Sequence, residues 1–390
     1  MVFSRFIVIY PNNKMMMKYL WIILATGLLF SCNQGDSEEV VVNDEPLGVA
    51  GQEAILEQFG GSIDLANLPN YANQAVPGYI NEDNTDGNPI TDGGAVLGRV
   101  LFYDTNLSSD NTIACASCHK QEFAFGDDAI ASTGVNGTTG RHSMRLVNAR
   151  FAEEDSFFWD ERANSLEDQS TMPIQDHIEM GFSGQDGDPS FTDLIAKLEA
   201  IEYYEELFTH VYGDASITEQ RMQNALAQFV RSIQSFDSKY DLGRAQENGN
   251  RGNFNNFTTQ ENNGKELFMD RPDFNNNGVR IGGGLGCDAC HRAPEFDIDD
   301  NSDNNGVIGT ISGIGTDTQV TRSPSLRDLF NAEGISNGPF MHNGFSNDFM
   351  DVLDHYDQIN RNGNNNLDRR LRPMGNGQNL SMTQAEKEAV

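Results

Sequence analysis

Four of the five cysteines of this chain fall in two Cys-x-x-Cys-His runs, Cys115-Ala-Ser-Cys118-His119 and Cys287-Asp-Ala-Cys290-His291. Two thiols one helical turn apart can bond the two vinyl groups of a single porphyrin, and the residue that follows sets an imidazole beneath its iron. The run is therefore the attachment signature of a c-type haem. On this reading Cys115, Cys118, Cys287 and Cys290 hold two covalent haems c, and His119 and His291 are the proximal iron ligands. A zinc ion shared by four thiolates is the rival use of such pairs, and it leaves both trailing histidines without a role.

The fifth cysteine lies elsewhere. Lys14 and Lys18 precede the apolar run Tyr19 to Phe30, which ends at Ser31-Cys32. A basic flank, a short apolar segment and a small residue before cysteine read as an export signal over residues 1–32, with Cys32 lipidated. The run is short for a membrane span. The start of translation is expected at Met15, Met16 or Met17. The chain is thus read as exported to the periplasm or cell surface and touching a membrane through its lipid alone. No cysteine is left for a disulfide, so cofactor attachment accounts for the thiols better than a disulfide framework does.

The sequence of 390 residues carries a formal charge of -32. Nucleic acid requires a basic face and is excluded as a partner, whereas a basic partner protein is compatible. Residues 33–92 are rich in Asn, Asp, Gly and Pro and read as linker and lead-in, with one short helix at Glu53 to Phe59. A first domain is expected over 93–240, with a helix near Ala95 to Phe102. A second follows Thr218, with Met222, Leu226, Phe229, Val230 and Ile233 on one face. Polar, Gly- and Asn-rich sequence between Phe236 and Asn256 reads as the connection to a second domain at 256–390. There a helix at Thr259 to Phe268 precedes the second cysteine pair as the Ala95 helix precedes the first, the pattern of a duplication. Strand alternation is scarce, so the expected class is mainly α, with two cytochrome c-like haem domains and long loops. Thr383-Gln-Ala-Glu386 is a capping box whose helix stops at Val390 after one turn, so the natural chain is expected to continue.

Further runs carry a family resemblance: Ser132 to His142, Leu146-Val-Asn148, Phe157 to Ala163, Leu166 to Gln169, Pro173 to Gly181, Pro324 to Arg327 and Gly338 to Gly344. Together with the two haem motifs in this order, residues 95 to 390 resemble the bacterial di-haem cytochrome c peroxidases and MauG-type enzymes. The resemblance implies that Glu179 is the acid/base that moves a proton between the oxygens of hydrogen peroxide, that Gln169 is its distal partner, and that Trp159 lies between the two haems and relays electrons. It also implies one calcium ion between the haems, held by the backbone carbonyls of Asn337 and Pro339.

Two positions depart from the family pattern. Val135 stands where activatable members carry a releasable histidine, so the first haem is expected to be open at rest. His142 lies seven residues on; it is read as a second iron ligand, as the replacement of a calcium-binding asparagine, or as a buried structural histidine. Tyr356 occupies the place of the methionine that is sixth ligand of the second haem, as in MauG. Met350, Met341 or an unliganded core tyrosine are the alternatives. The Asp83 to Gly87 and Asp300 to Gly306 loops resemble calcium loops without the EF-hand spacing and read as turns.

The implied function is reduction of hydrogen peroxide to water with electrons from a small cytochrome c or cupredoxin, by an oxidoreductase that is a monomer or a homodimer. A MauG-like oxidase of a partner protein and a non-catalytic di-haem electron carrier are the competing readings.

Overall fold

The computed structural model describes residues 51–153, 156–361 and 363–390. The expected export signal and Cys32 lie outside the described residues, and among the described residues no helix is long and apolar enough to cross a membrane. The α-helices are α1 (Glu53–Phe59), α2 (Asp92–Tyr103), α3 (Cys115–Cys118), α4 (Leu166–Thr171), α5 (Phe191–Glu199), α6 (Glu202–Tyr212), α7 (Glu219–Arg231), α8 (Lys239–Arg244), α9 (Thr259–Met269), α10 (Phe349–Asp357) and α11 (Gln384–Lys387). Strands form three two-stranded antiparallel ribbons: β1 (Thr133–Gly134) with β2 (Gly137–Thr138), β3 (Pro272–Phe274) with β4 (Arg280–Gly283), and β5 (His291–Arg292) with β6 (Asp297–Ile298). Long loops join these elements, so the chain is helix-rich with little sheet, as the scarcity of strand alternation predicts.

The first half is organised by the crossing of α2 on α7. Thr91 caps α2 by accepting the Gly94 N–H at 3.0 Å, and Thr218 caps α7 by accepting the Arg221 N–H at 3.2 Å. Met222, Leu226, Phe229, Val230 and Ile233 are all buried, as the 3.6-residue spacing requires. At the crossing a Cβ on Gly98 would lie 1.9 Å from the Ala225 carbonyl oxygen, so only glycine lets the two backbones approach this closely. A continuous apolar cluster from Ile55 to Ile233 surrounds this pair. Its outer wall is α5 and α6, and the apolar face of α6 is interleaved with tyrosine and glutamate.

The second half is built differently. Helix α9 packs on the Cys287 turn as α2 packs on the Cys115 turn, which supports the duplicated plan. In this half Leu285, Ile298, Val352, Leu353 and Leu380 are buried along the wall of a cavity, while Tyr240, Phe254, Phe257, Phe268 and Phe296 pack ring against ring.

Two stretches are better ordered than their composition suggests. In the lead-in, Ile55 is fully buried and the Ala54 and Ile55 N–H groups donate to the Glu206 carboxylate at 3.0 and 2.9 Å. The Tyr79 hydroxyl donates to Asp241 at 2.8 Å, and the Asn81 N–H donates to Glu295 at 2.9 Å. The connection around 236–256 contains α8, opened by a Ser238/Asp241 capping box. Asp241 also pairs at 2.8 Å with the buried Arg327 guanidinium from the second half. In both stretches the polar residues that read as loop are partners for buried charges.

Candidate functional site

The first attachment motif forms α3, and both thiols face a cavity of about 410 Å³ together with His119. The chain leaves α3 through a 3₁₀ turn at Gln121–Phe123 and then bends with Ala124 and Phe125 in the left-handed region, at φ 57° and 59°. That bend brings the Phe125 carbonyl 2.9 Å from His119 Nδ1. An N–H donated there fixes the tautomer and leaves Nε2 as the nitrogen free to bind a metal. Burial lowers the His119 pKa and so favours this neutral form.

The same cavity is lined by the three residues that the resemblance marks, Gln169, Glu179 and Trp159. Helix α4 is clamped to α7 by the Glu167–Arg231 ion pair and by the Thr171 hydroxyl donating to Glu219 at 3.0 Å. It presents Gln169 to the cavity. Glu179 lines the same space from the loop after α4. Its carboxyl is pushed up to about 7, first by burial and then by the negative charge of Asp176, while the Arg162 guanidinium opposes the rise. Asp176 also shapes that loop, accepting the Ile178 and Glu179 N–H groups at 2.8 and 3.0 Å. A half-protonated carboxyl at neutral pH suits a group that must both take and give a proton. Sequence reasoning missed Asp176, although its position three residues before Glu179 is the spacing of such a cap. It also missed Arg162, which lies 3.6 Å over the Phe158 ring and has no local sequence signal.

The ribbon of β1 and β2 braces the Glu179 loop. The Val135 N–H donates to the Glu179 carbonyl at 3.0 Å, and a Cβ on Gly134 would lie 2.1 Å from the Ile178 carbonyl oxygen and 2.8 Å from Glu179 Cα. Val135 does not line the cavity; its side chain packs beside Gly181. Gly134→Ala is expected to displace the carboxylate loop, destabilising the fold by about 1–3 kcal/mol. Thermal melting of the variant against wild type checks this.

Trp159 is buried where the two halves meet. Its indole N–H donates to the His142 carbonyl at 2.7 Å, and its own carbonyl accepts the Thr321 and Arg322 N–H groups at 3.0 and 3.2 Å. The ring lies 6.2 Å from the His342 ring between centroids. Trp159 lines the first cavity and also a small chamber of about 60 Å³ that His291 and Tyr356 line from the other side.

The second motif is a 3₁₀ turn at Cys287–Ala289 that runs into β5 at His291. Cys287, Cys290, His291 and Tyr356 share a second cavity of about 840 Å³. His291 is held neutral by burial, its pKa pushed down to about 4, and its buried Nδ1 has no partner among the described residues, unlike that of His119. Tyr356, on α10, is half-buried, its pKa raised by desolvation, and its hydroxyl oxygen accepts from the Asn305 amide at 3.4 Å. Of the alternatives to Tyr356, Met341 lines the connecting chamber instead and Met350 lines neither cavity.

Both cavities fall within the ~300–1,000 Å³ typical of cofactor sites, and each joins apolar walls to two thiols and an imidazole. These are the groups that a covalent porphyrin needs. A shared zinc does not fit: the pairs sit in separate cavities, burial pushes the Cys115 and Cys287 thiols up to about 12, and among the described residues no three His, Cys, Asp or Glu side chains converge.

His142 lines the first cavity and the chamber with its Nδ1 3.0 Å from the Ala129 carbonyl, the bond of a buried structural histidine. Asn337 is buried with its amide donating to the Asp328 carbonyl at 2.8 Å, and Pro339 lines the chamber.

Residues 93–248 match the family model described as di-haem cytochrome c peroxidase. The chain is 31% identical over 278 residues to the methylamine utilization protein MauG of Methylophilus methylotrophus, covering 69% of this chain and 73% of that one. It is also 31% identical over 214 residues to the cytochrome c peroxidase Ccp of Escherichia coli, covering 55% of this chain and 41% of that protein. Among solved structures, a MauG-like protein associated with microbial copper homeostasis aligns over 81% of this chain and 93% of its own, with a TM-score of 0.58 and 23% identity. That last likeness speaks to the fold alone.

Proposed function

Because the chain belongs to the family of di-haem cytochrome c peroxidases and MauG proteins, we propose that it reduces hydrogen peroxide to water in the first cavity with electrons delivered through the second. The observation that carries this reading is the asymmetry of the two cavities. Among the described residues only the first holds a carboxyl pushed up to about 7 beside the attachment motif, together with Gln169, and only the second holds the Tyr356 phenol.

When bound, the haem supplies a redox-active iron. The chain supplies the rest. Glu179 takes the proton from the near oxygen of the peroxide and returns it to the far one as the O–O bond breaks, and two further protons and two electrons complete two waters. Gln169 offers an amide to orient the peroxide. Trp159 stands between the cavities as the aromatic step for electrons entering at the second. The acidic surface favours a basic small cytochrome or cupredoxin as donor, and delivery through a lipid on Cys32 belongs to the same proposal.

Tyr356 favours a second reading, in which a partner protein takes the place of the electron donor and is itself oxidised, as its relatives named MauG suggest. Steady-state peroxide reduction with reduced cytochrome c and reduced cupredoxin tests both. Saturable donor oxidation that falls sharply in Trp159→Phe is expected, and peroxide consumption that no small donor accelerates would overturn the peroxidase in favour of the oxidase.

A further inference from the structure

Arg145 is a buried cation for which the mechanism above has no use. It follows His142 by three residues, is only 9% exposed, and lines both the first cavity and the small chamber that leads to the second. No ion pair to it is found among the described residues. Its Nε–H has no acceptor, and its Nη2 is 3.5 Å from the Ser325 carbonyl, the outer limit of a hydrogen bond. The Phe340 ring lies 5.7 Å from the guanidinium carbon, a contact that partly offsets the lost solvation. A buried guanidinium with an unsatisfied N–H is strongly unfavourable unless an anion meets it.

The chamber is equally telling about what it would not take. The resemblance implies calcium here, beside Pro339 and with an asparagine where His142 stands. Calcium takes six to eight oxygen ligands, carboxylates foremost. The side chains lining this chamber include no aspartate or glutamate; they are a guanidinium, two imidazoles, a phenol, serines and apolar groups. The Asp328 carboxyl, the negative group that acts on Arg145, is engaged by the Ser235 hydroxyl at 3.0 Å and lies outside the chamber lining. Asn337 directs its amide to the Asp328 carbonyl. The side chains thus add no anionic oxygen to the Asn337 and Pro339 carbonyls that the resemblance implies, and the Arg145 guanidinium sets a positive charge in the same chamber, which disfavours a divalent cation.

We propose that the Arg145 guanidinium is the fixed cation of the space between the two cavities, standing in place of calcium, and that it binds a carboxylate of the haem in the first cavity. A c-type porphyrin keeps its two propionates after its vinyl groups are bonded to the thiols, so it brings the anion that the buried fork lacks. The pair forms by ionic hydrogen bonding with no bond made or broken. A positive charge held there also favours the reduced iron.

The inference rests on the di-haem reading, and its test separates the two. A holoprotein without a haem absorbance band fails the di-haem reading before any other measurement. With both haems present, the purified protein is dialysed against a calcium chelator, its calcium measured by atomic emission, and its melting followed with chelator and with added calcium. Substoichiometric calcium and an unchanged melting curve are expected. One calcium per chain, removed by the chelator with a fall in melting temperature, would overturn the proposal.

The second arm is redox titration of the first haem. Arg145→Met and Arg145→Gln, two neutral side chains of different shape, are each expected to disfavour reduction about tenfold, which is about 59 mV for one electron, while Arg145→Lys keeps most of the wild-type potential. Whichever neutral variant folds can be read, and a potential equal to wild type would overturn the carboxylate contact.

Discussion

Glu179→Gln is expected to lower kcat/KM for hydrogen peroxide by about 10²–10⁴-fold, the range for losing one positioned proton carrier, while both haems stay attached. Its pH dependence follows from the raised carboxyl. Peroxide must lose its proton to Glu179, so the working form at that step is the carboxylate. Wild-type kcat/KM should therefore rise with pH through about 7 and level off above it. The same shift sets the sign of a stability change. A folded pKa of about 7 against an ordinary 4.5 means that the fold binds this proton more tightly than the unfolded chain does. Its stabilising contribution is complete below 4.5 and is lost as pH rises to about 7. Above that pH, Glu179→Gln should melt higher than wild type while turning over far less. A variant that is less stable and less active would indicate a structural role for Glu179, and one with wild-type turnover would remove it from the reaction.

Loss of the second attachment, in Cys287→Ala/Cys290→Ala, is expected to unfold the second half and not merely to empty it. In the first half an apolar cluster closes on itself from Ile55 to Ile233. In the second half Leu285, Ile298, Val352, Leu353 and Leu380 face a cavity of about 840 Å³. At roughly 24 cal/mol per Å³ an unfilled space of that size costs on the order of 20 kcal/mol. The mouth admits water and reduces that figure, yet even a third of it rivals the ~5–15 kcal/mol that holds a typical domain together. Limited proteolysis and hydrogen exchange should show cleavage and fast exchange across α9 and α10 in the double variant, with the α2–α7 region still protected. Native-like protection of α9 and α10 without haem would show that this half has a core of its own.

The parts legible in the sequence are those governed by short-range rules. Periodicity and caps place α1, α2, α7, α9 and α11 within a few residues of their observed bounds, and the attachment motifs place each His beside its thiols. Helix α6 escapes because its apolar residues are interleaved with acids and tyrosines, and α10 because its buried face borders a cavity formed with distant loops. Arg145 escapes for a related reason. A surface arginine and a buried one read alike until the fold shows what lies around them.

The hydrogen bonds that hold Trp159 have a mechanical consequence. Its ring is tethered within the first half at His142, and its backbone to the second half through Thr321 and Arg322. Opening the two halves like a hinge would tear this residue from one anchorage or the other. On the electron route proposed above, the span across this ring is therefore set at the moment of folding.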